Sequence, residues 1–367
     1  MVKRRIGWGL WLAAAVLLYI FENNTVSRCL LAASALLPAA FAALVIPAGK
    51  RLTAALELPE QAVKGGSFPV SVKVGCPVLF VTVRGRLCCR NLLTGERSET
   101  PFTVDGRQET AAIEVTAAHC GTLSFTLELS VQDVFGLFEK PSGTMAEGAV
   151  LVQPLLFGTE PVLVEDTTAA EGGMYSSVRP GNDPSETFAI REYVPGDPIR
   201  QIHWKLSEKT GRVMLRELGL PVSNQVLLVF DASGDSNFAD GLDAMAEVFL
   251  SLSRGLMLSG IGHAVCWQHE GAVPELRTVE REVDFTALQT DFFAAPFQQQ
   301  AAFALRGDAY AHVAVVRQTF PVDGAVSGLG RRVMVLAPDG GGGQGGAYYA
   351  IPFSPRDYRD TLAKIEL

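Results

Sequence analysis

The sequence predicts a three-part chain: a transmembrane helical hairpin, an all-β sandwich and an α/β domain. Three observations predict it. Two apolar runs open the chain, residues 6–21 and about 29–46. Short alternating segments bounded by turn residues fill residues 52 to about 157. A continuous apolar run at 225–231 then begins a pattern in which strands alternate with helices. The boundaries that follow are 1–50 for the hairpin, 51–158 for the sandwich, 159–222 for a connector and 223–367 for the α/β domain. A length of 367 residues suits several domains and a sizeable core.

The hairpin comes first. As helices the two runs measure roughly 24 and 27 Å, close to the ~30 Å hydrocarbon core of a bilayer. The second run follows within a few residues and no small-x-small cleavage site separates them, so a hairpin is expected rather than a signal peptide. Pro38 would kink the second helix, which a membrane tolerates. Lys3, Arg4, Arg5, Lys50 and Arg51 flank the outer ends, while the loop holds Glu22 and Arg28. The positive-inside rule then places both termini, and the body after Lys50, in the cytoplasm. The six cysteines carry no C-x-x-C pair and no metal-ligand spacing, as expected of thiols in a reducing compartment. A formal net charge of −8 argues against nucleic acid as a partner.

For the sandwich, the expected strands are 68–74, 78–87, 109–116, 123–129 and 149–152. Val131-Gln132-Asp133-Val134-Phe135-Gly136-Leu137-Phe138 reads as a strand end capped by Asp133, with Phe135 and Phe138 sealing the sandwich. Residues 160–186 are polar and rich in Gly, Ser and Thr, the composition of an exposed connector.

The connector ends in the densest mixture of charge, aromatic and turn residues in the chain, 191–205. Pro195-Gly196-Asp197-Pro198 predicts a tight turn. Asp197 is expected as a helix N-cap with Pro198 at the first helical position, in a short helix ending near Gly211. Arg191, Tyr193, Gly196, Asp197, Arg200, Ile202 and Trp204, with Lys209-Thr210-Gly211 behind them, resemble the signature of the family catalogued as domain of unknown function 58. The upstream Arg179-Pro180-Gly181-Asn182-Asp183 and Phe188 fit the same pattern. Two readings of Arg191, Asp197, Arg200, His203 and Trp204 stand side by side. In one they form an anion or peptide site, with arginine forks on a carboxylate and Trp204 stacking. In the other they form an internal lock: Asp197 pairs with Arg191 or Arg200, Trp204 packs in the core and Tyr193 finds a partner. The lock is the favoured expectation. His203 has Ser207 four residues on but no oxyanion device near it, and no nucleophile elbow, P-loop or dinucleotide fingerprint occurs.

In the α/β domain the expected strands after 225–231 are 263–267, 312–316, 332–336 and 348–352. Residues 239–258 form a helix with an apolar side; 285–297 and 357–365 are candidate helices. Residues 340–346 form a glycine tract. Asp231-Ala232-Ser233-Gly234-Asp235 closes the first strand and is similar to the D-x-S-x-S metal loop of von Willebrand factor type A domains, which implies Rossmann-like architecture. There hard oxygen ligands hold a divalent cation, Mg²⁺ in the implied case. Asp231 and Ser233 match, Asp235 stands for the second serine, and Asp339 is a further candidate ligand. The alternative has Asp231 capping the helix near Ala239.

The chain as a whole reads as a membrane-anchored cytoplasmic scaffold for partner recognition, not an enzyme. The resemblance implies a bacterial or archaeal protein working beside a MoxR-type AAA+ ATPase, often with a transglutaminase-like membrane protein as another neighbour. Two rivals remain: a hydrolase built on Asp197 and His203, and a cation-dependent adhesion domain.

Overall fold

Two helices lead the chain in the computed structural model, α1 (Val2–Phe21) and α2 (Thr25–Arg51). The structure describes residues 2–22, 24–78, 80–105, 108–163, 183–219, 226–234, 238–299, 310–320, 332–338 and 348–366. Asn24 caps α2, its side chain accepting the Ser27 amide at 2.8 Å while the Ser27 hydroxyl accepts the Asn24 amide at 3.2 Å. Helix α2 runs through both Pro38 and Pro47. The Trp11 indole donates to Ser34 Oγ across the pair at 3.2 Å, a polar link of the kind that ties apolar helices together. Both helices are long and apolar enough to cross a membrane, over residues 4–21 and 25–51.

The helices belong to a unit spanning Met1–Gln153. Its strands are β1 (Thr53–Glu57), β2 (Gln61–Val63), β3 (Ser67–Gly75), β4 (Val81–Asn91), β5 (Arg97–Val104), β6 (Gln108–Thr116), β7 (Gly121–Asp133) and β8 (Glu139–Gln153). They form two sheets, β1-β3-β6 and β2-β8-β7-β4-β5. Alternation decides what is inside: Val70, Val72 and Val74 of β3 meet Phe125, Leu127, Leu129 and Val131 of β7 in one core. Strands β1, β2 and β5 were not anticipated. In β5 the sequence Arg-Ser-Glu-Thr-Pro is almost wholly exposed, so no apolar period marks it. It is held by pairing to β4 and by Phe102, whose ring would meet a Cβ on Gly85 at 2.0 Å; only glycine fits there.

Asp133 behaves as expected and Phe135 does not. The Asp133 side chain is buried and accepts the amides of Phe135 at 3.1 Å and Phe138 at 2.6 Å. Phe138 packs against the sandwich core. Phe135 instead turns outward, 49% exposed, and meets the rings of Trp8 and Phe41. The tight turn directs it away from the sheet.

The second unit is Pro154–Leu367. Its strands are β9 (Glu160–Val162), β10 (Asp183–Glu192), β11 (Met214–Gly219), β12 (Val226–Asp231), β13 (His263–Trp267), β14 (Glu275–Val279), β15 (His312–Arg317), β16 (Arg332–Ala337), β17 (Tyr349–Pro352) and β18 (Lys364–Glu366). Its helices are α3 (Trp204–Thr210), α4 (Ala239–Leu258) and α5 (Glu282–Phe292). The main sheet has the order β14-β13-β12-β15-β16-β17. All pairings in it are parallel except that of β14 with β13. Every residue of β12 is buried, as a strand covered on both faces requires. Strand β14 is polar and went unforeseen, being an edge strand mostly open to solvent. Helix α5 begins three residues before the expected start, where Asp284 accepts the Arg281 amide at 3.0 Å. No helix forms over 357–365. Tyr358, Leu362 and Ile365 are instead buried along turns and in β18, which pairs with β9, so burial overrides local propensity. The connector residues 164–182, the 340–346 tract and Asp339 lie outside the described residues.

Helix α4 is buried nearly all round, so its polar groups need partners inside. Ser251 Oγ accepts the Phe157 amide at 3.2 Å, and Ser253 Oγ meets His263 Nε2 at 2.7 Å. His263 Nδ1 faces the Ile261 carbonyl at 3.1 Å, so neutral His263 donates from Nδ1 and accepts at Nε2. Burial pushes its pKa down to about 4 from 6.5. With the folded pKa below the unfolded one, its neutral form supports the fold fully above about pH 6.5. That support is lost as pH falls toward 4, by roughly 3 kcal/mol. Urea unfolding at pH 7 and 4.5 reads the loss, and His263→Gln should flatten that slope.

Candidate functional site

The signature is built on a two-stranded antiparallel ribbon. Strand β10 pairs with β11, with Arg191 opposite Leu215 and Ala189 opposite Glu217. Between the strands the chain turns at 194–197, closed by the Asp197 amide on the Val194 carbonyl at 3.0 Å. Gly196 takes φ 113° there, a conformation that favours glycine. The Asp197 carboxylate accepts both Arg191 Nη1 at 2.7 Å and Nη2 at 2.8 Å. It also accepts the Val194 amide at 2.9 Å. Arg191 Nε reaches Glu217 at 2.7 Å. One guanidinium therefore clamps the turn to both strands. These bonds, the Arg191 fork first, hold the Asp197 carboxyl down at about 2.

The expected single helix is broken. Pro198 leads only a 3-10 turn, Ile199–Gln201, and Asp197 does not cap α3. Ile202 bridges to Leu215 and the His203 amide donates to the Met214 carbonyl at 2.8 Å. Those contacts pull 202–203 into an extended step along β11. Helix α3 then starts with His203 as its cap, Nδ1 accepting the Leu206 amide at 3.2 Å, and ends at Gly211 as anticipated. The Ser207 hydroxyl donates to the His203 carbonyl at 3.0 Å and accepts the Met214 amide at 2.8 Å. Histidine and serine are thus both committed to holding α3 on the ribbon.

Trp204 is not in the core. It is 65% exposed, and Ile199 at 66% and Val194 at 57% are exposed in the same segment of chain. An open cleft of about 810 Å³ is lined by Arg200, Gln201, His203, Trp204 and Arg216 among others. Arg216 is fixed by Thr187 Oγ1 at 2.5 Å and the Pro184 carbonyl at 2.7 Å. Arg200 has no ion-pair partner among the described residues. Tyr193 is held through its backbone, its amide on the Val213 carbonyl at 2.8 Å. The signature therefore divides: Arg191, Gly196 and Asp197 build the turn, while Arg200, His203 and Trp204 face a cleft. Sequence reasoning missed Glu217 and Arg216; their alternation in β11, one toward Arg191 and one toward Thr187, was the available signal.

The second candidate cluster lies where β12 and β15 end side by side. Asp231 pairs in register with Arg317, whose Nη2 lies 3.7 Å from Asp231 Oδ2. Asp231 Oδ1 accepts the Ser233 amide at 3.0 Å, and Gln318 Nε2 donates to the Ala232 carbonyl at 2.9 Å. Asp231 and Ser233 are both buried. Asp235 lies outside the described residues. Asp231 does not cap α4; Phe238 occupies the cap position without a side-chain bond.

Fold and site together define a multidomain, largely β-rich chain led by two apolar helices, with an aromatic and cationic cleft beside a clamped turn. Residues 189–262 match the family model described as Protein of unknown function DUF58, which supports membership of that family. No curated protein matches the chain. Among solved structures, the CARDB domain of a Pyrococcus furiosus protein, in complex with di-metal ions, is 16% identical, with a TM-score of 0.22, over 28% of this chain and 87% of that one. The chicken interferon gamma receptor alpha chain is 14% identical, with a TM-score of 0.20, over 27% and 50%. A Pseudomonas fluorescens alkylpurine DNA glycosylase, AlkC, bound to DNA with an abasic site analog, is 13% identical, with a TM-score of 0.20, over 38% and 42%. Likenesses this slight carry no argument about this chain.

Proposed function

We propose that this chain is a membrane-anchored cytoplasmic scaffold that recognises a protein partner through the Arg200–Trp204 cleft. One observation carries the reading: the signature tryptophan is exposed beside a cationic cleft, while separate residues hold the turn. A large aromatic kept in solvent next to arginine is the composition of an interface hot spot. The cleft's two arginines suit an acidic segment with an apolar residue for Trp204. The family resemblance makes a MoxR-type AAA+ ATPase that partner, with a transglutaminase-like membrane protein as a further neighbour. The chemistry speaks against a hydrolase, since Asp197 is consumed by Arg191 and Ser207 by the backbone. Co-purification of the intact chain in mild detergent tests the reading. An ATPase of that class should accompany the wild type, and its consistent absence would overturn the assignment.

In the same reading both termini are cytoplasmic, because basic residues flank the outer ends of α1 and α2. A reporter at Leu367 active only outside the cytoplasm should stay silent; activity there would reverse the topology. The C-terminal sheet is a von Willebrand type A-like domain. Numbered from β12, its strand order is 3-2-1-4-5-6, the doubly wound order with a ligand crevice between strands 1 and 4. At that crevice the described residues fit a divalent ion poorly. A guanidinium already faces Asp231, and a second cation against it would be repelled. Calorimetry of the full chain with Mg²⁺ should give no binding heat; tight binding abolished by Asp231→Ala would contradict this.

A further inference from the structure

The sandwich carries an apolar edge that partner recognition does not use. Val81 of β4 pairs with Asp133 of β7, so Phe80 and Val134, the next residues along, leave the sheet at the same end. Phe80 is 68% exposed and Val134 52%, with Phe135 half-exposed beside them. Among the described residues Phe80 is the non-glycine residue with positive φ, 60°, a strained conformation for a bulky side chain that persists only where its surroundings impose it.

This end of the sheet is where the helices attach. Arg5 Nε donates to the Leu137 carbonyl at 2.9 Å, Lys140 Nζ to Ile46 at 3.4 Å and Ser142 Oγ to Gly49 at 3.4 Å. The Phe135 ring centroid lies 6.3 Å from that of Trp8 and 5.1 Å from that of Phe41. Trp8 is about 6 Å along α1 from Arg4, and Phe41 about 14 Å along α2 from Lys50. The 134–138 loop therefore overlaps the apolar length of both helices instead of stopping at their charged ends. Arg4, Arg5, Lys50 and Arg51 are exposed at those ends. Of the loop's two acidic neighbours, Asp133 is buried and spent on the Phe135 and Phe138 amides, and the half-buried Glu139 accepts the Ser130 hydroxyl at 2.7 Å. The Asp133 carbonyl takes the Gly136 amide at 2.9 Å. The amides of Phe135, Gly136 and Phe138 are thereby satisfied within the loop, which lowers the cost of entering a layer poor in water.

We propose that this edge binds phospholipid: the sandwich dips Phe80, Val134 and Phe135 into the interface of the bilayer that α1 and α2 cross, while the basic residues meet anionic headgroups. Apolar side chains such as phenylalanine gain by burying their area at the headgroup–acyl boundary, and clustered cations beside it favour anionic lipid. The inference rests on the membrane-anchored reading, and the experiment separates the two. The full chain, with Cys29→Ser and Cys88→Ser, is labelled with an environment-sensitive fluorophore at Val134→Cys or, separately, at Phe80→Cys. It is reconstituted in phosphatidylcholine–phosphatidylglycerol vesicles holding shallow nitroxide lipids. Leu18→Cys in α1 reports the bilayer. Glu96→Cys, beyond the far end of β4 and roughly 35 Å away, reports water. Emission at 134 and 80 should shift to the blue and be quenched by the nitroxide, while emission at 96 stays aqueous. Aqueous emission at 134 and 80 with a quenched Leu18 label overturns the lipid edge and leaves the anchor standing. A blue shift without quenching means protein covers the edge, which overturns it too. An unquenched Leu18 label sinks both readings.

Discussion

Glu247→Ala is expected to destabilise the Pro154–Leu367 unit by about 2–6 kcal/mol, the scale of two buried donors left without an acceptor. Glu247 is fully buried in α4. Its carboxylate accepts the Leu155 amide at 2.9 Å and the Tyr358 hydroxyl, with Arg359 Nη2 at 3.6 Å. Burial, then the bond to Glu247, pushes the Tyr358 phenol far up, so it remains a donor across the working pH range. Alanine would leave an amide and a phenol without their acceptor, and each unsatisfied buried donor costs about 1–3 kcal/mol. Against a stability of about 5–15 kcal/mol, the variant should melt far below the wild type and accumulate poorly. Glu247→Gln keeps one acceptor and should lose less. An alanine variant melting with the wild type would show that the network holds nothing together.

The second large effect is on binding rather than on folding. Trp204→Ala should weaken partner capture roughly 30-fold, the consequence of losing a hot spot of about 2 kcal/mol. Melting should stay close to wild type, because a side chain 65% exposed buries too little to leave a cavity. Arg200→Ala should behave the same way. Asp197→Ala should instead lower melting, since it releases Arg191 and the Val194 amide together. An internal lock would lower melting for Asp197→Ala and Trp204→Ala together; the exposure of Trp204 separates the two.

Long apolar periods made much of this architecture legible. Helix α4, strands β3, β7 and β12, and the two N-terminal helices announce themselves because their residues are apolar at a fixed spacing. Edge strands β5 and β14 do not, since exposed strands have no core face to mark. The turn was legible from Pro195-Gly196-Asp197, and so was an ion pair for Asp197, although chain proximity offered Arg191 and Arg200 alike and only the fold selects Arg191. Glu217 and Arg216 enter only because β11 folds back on β10, a contact across more than twenty residues. The helix start was misplaced for the same reason: Ile202 and His203 answer to β11, not to local propensity. The outward turn of Phe135 follows from a tight turn whose geometry single residues do not encode.

The most direct test of the recognition surface is the affinity of the purified full chain, in mild detergent, for a purified MoxR-type ATPase. Wild type, Trp204→Ala and Arg200→Ala are compared at equal melting temperature. Binding by the wild type with a roughly 30-fold loss in each variant is the predicted result. Equal binding by all three, or loss only where melting also falls, would contradict it.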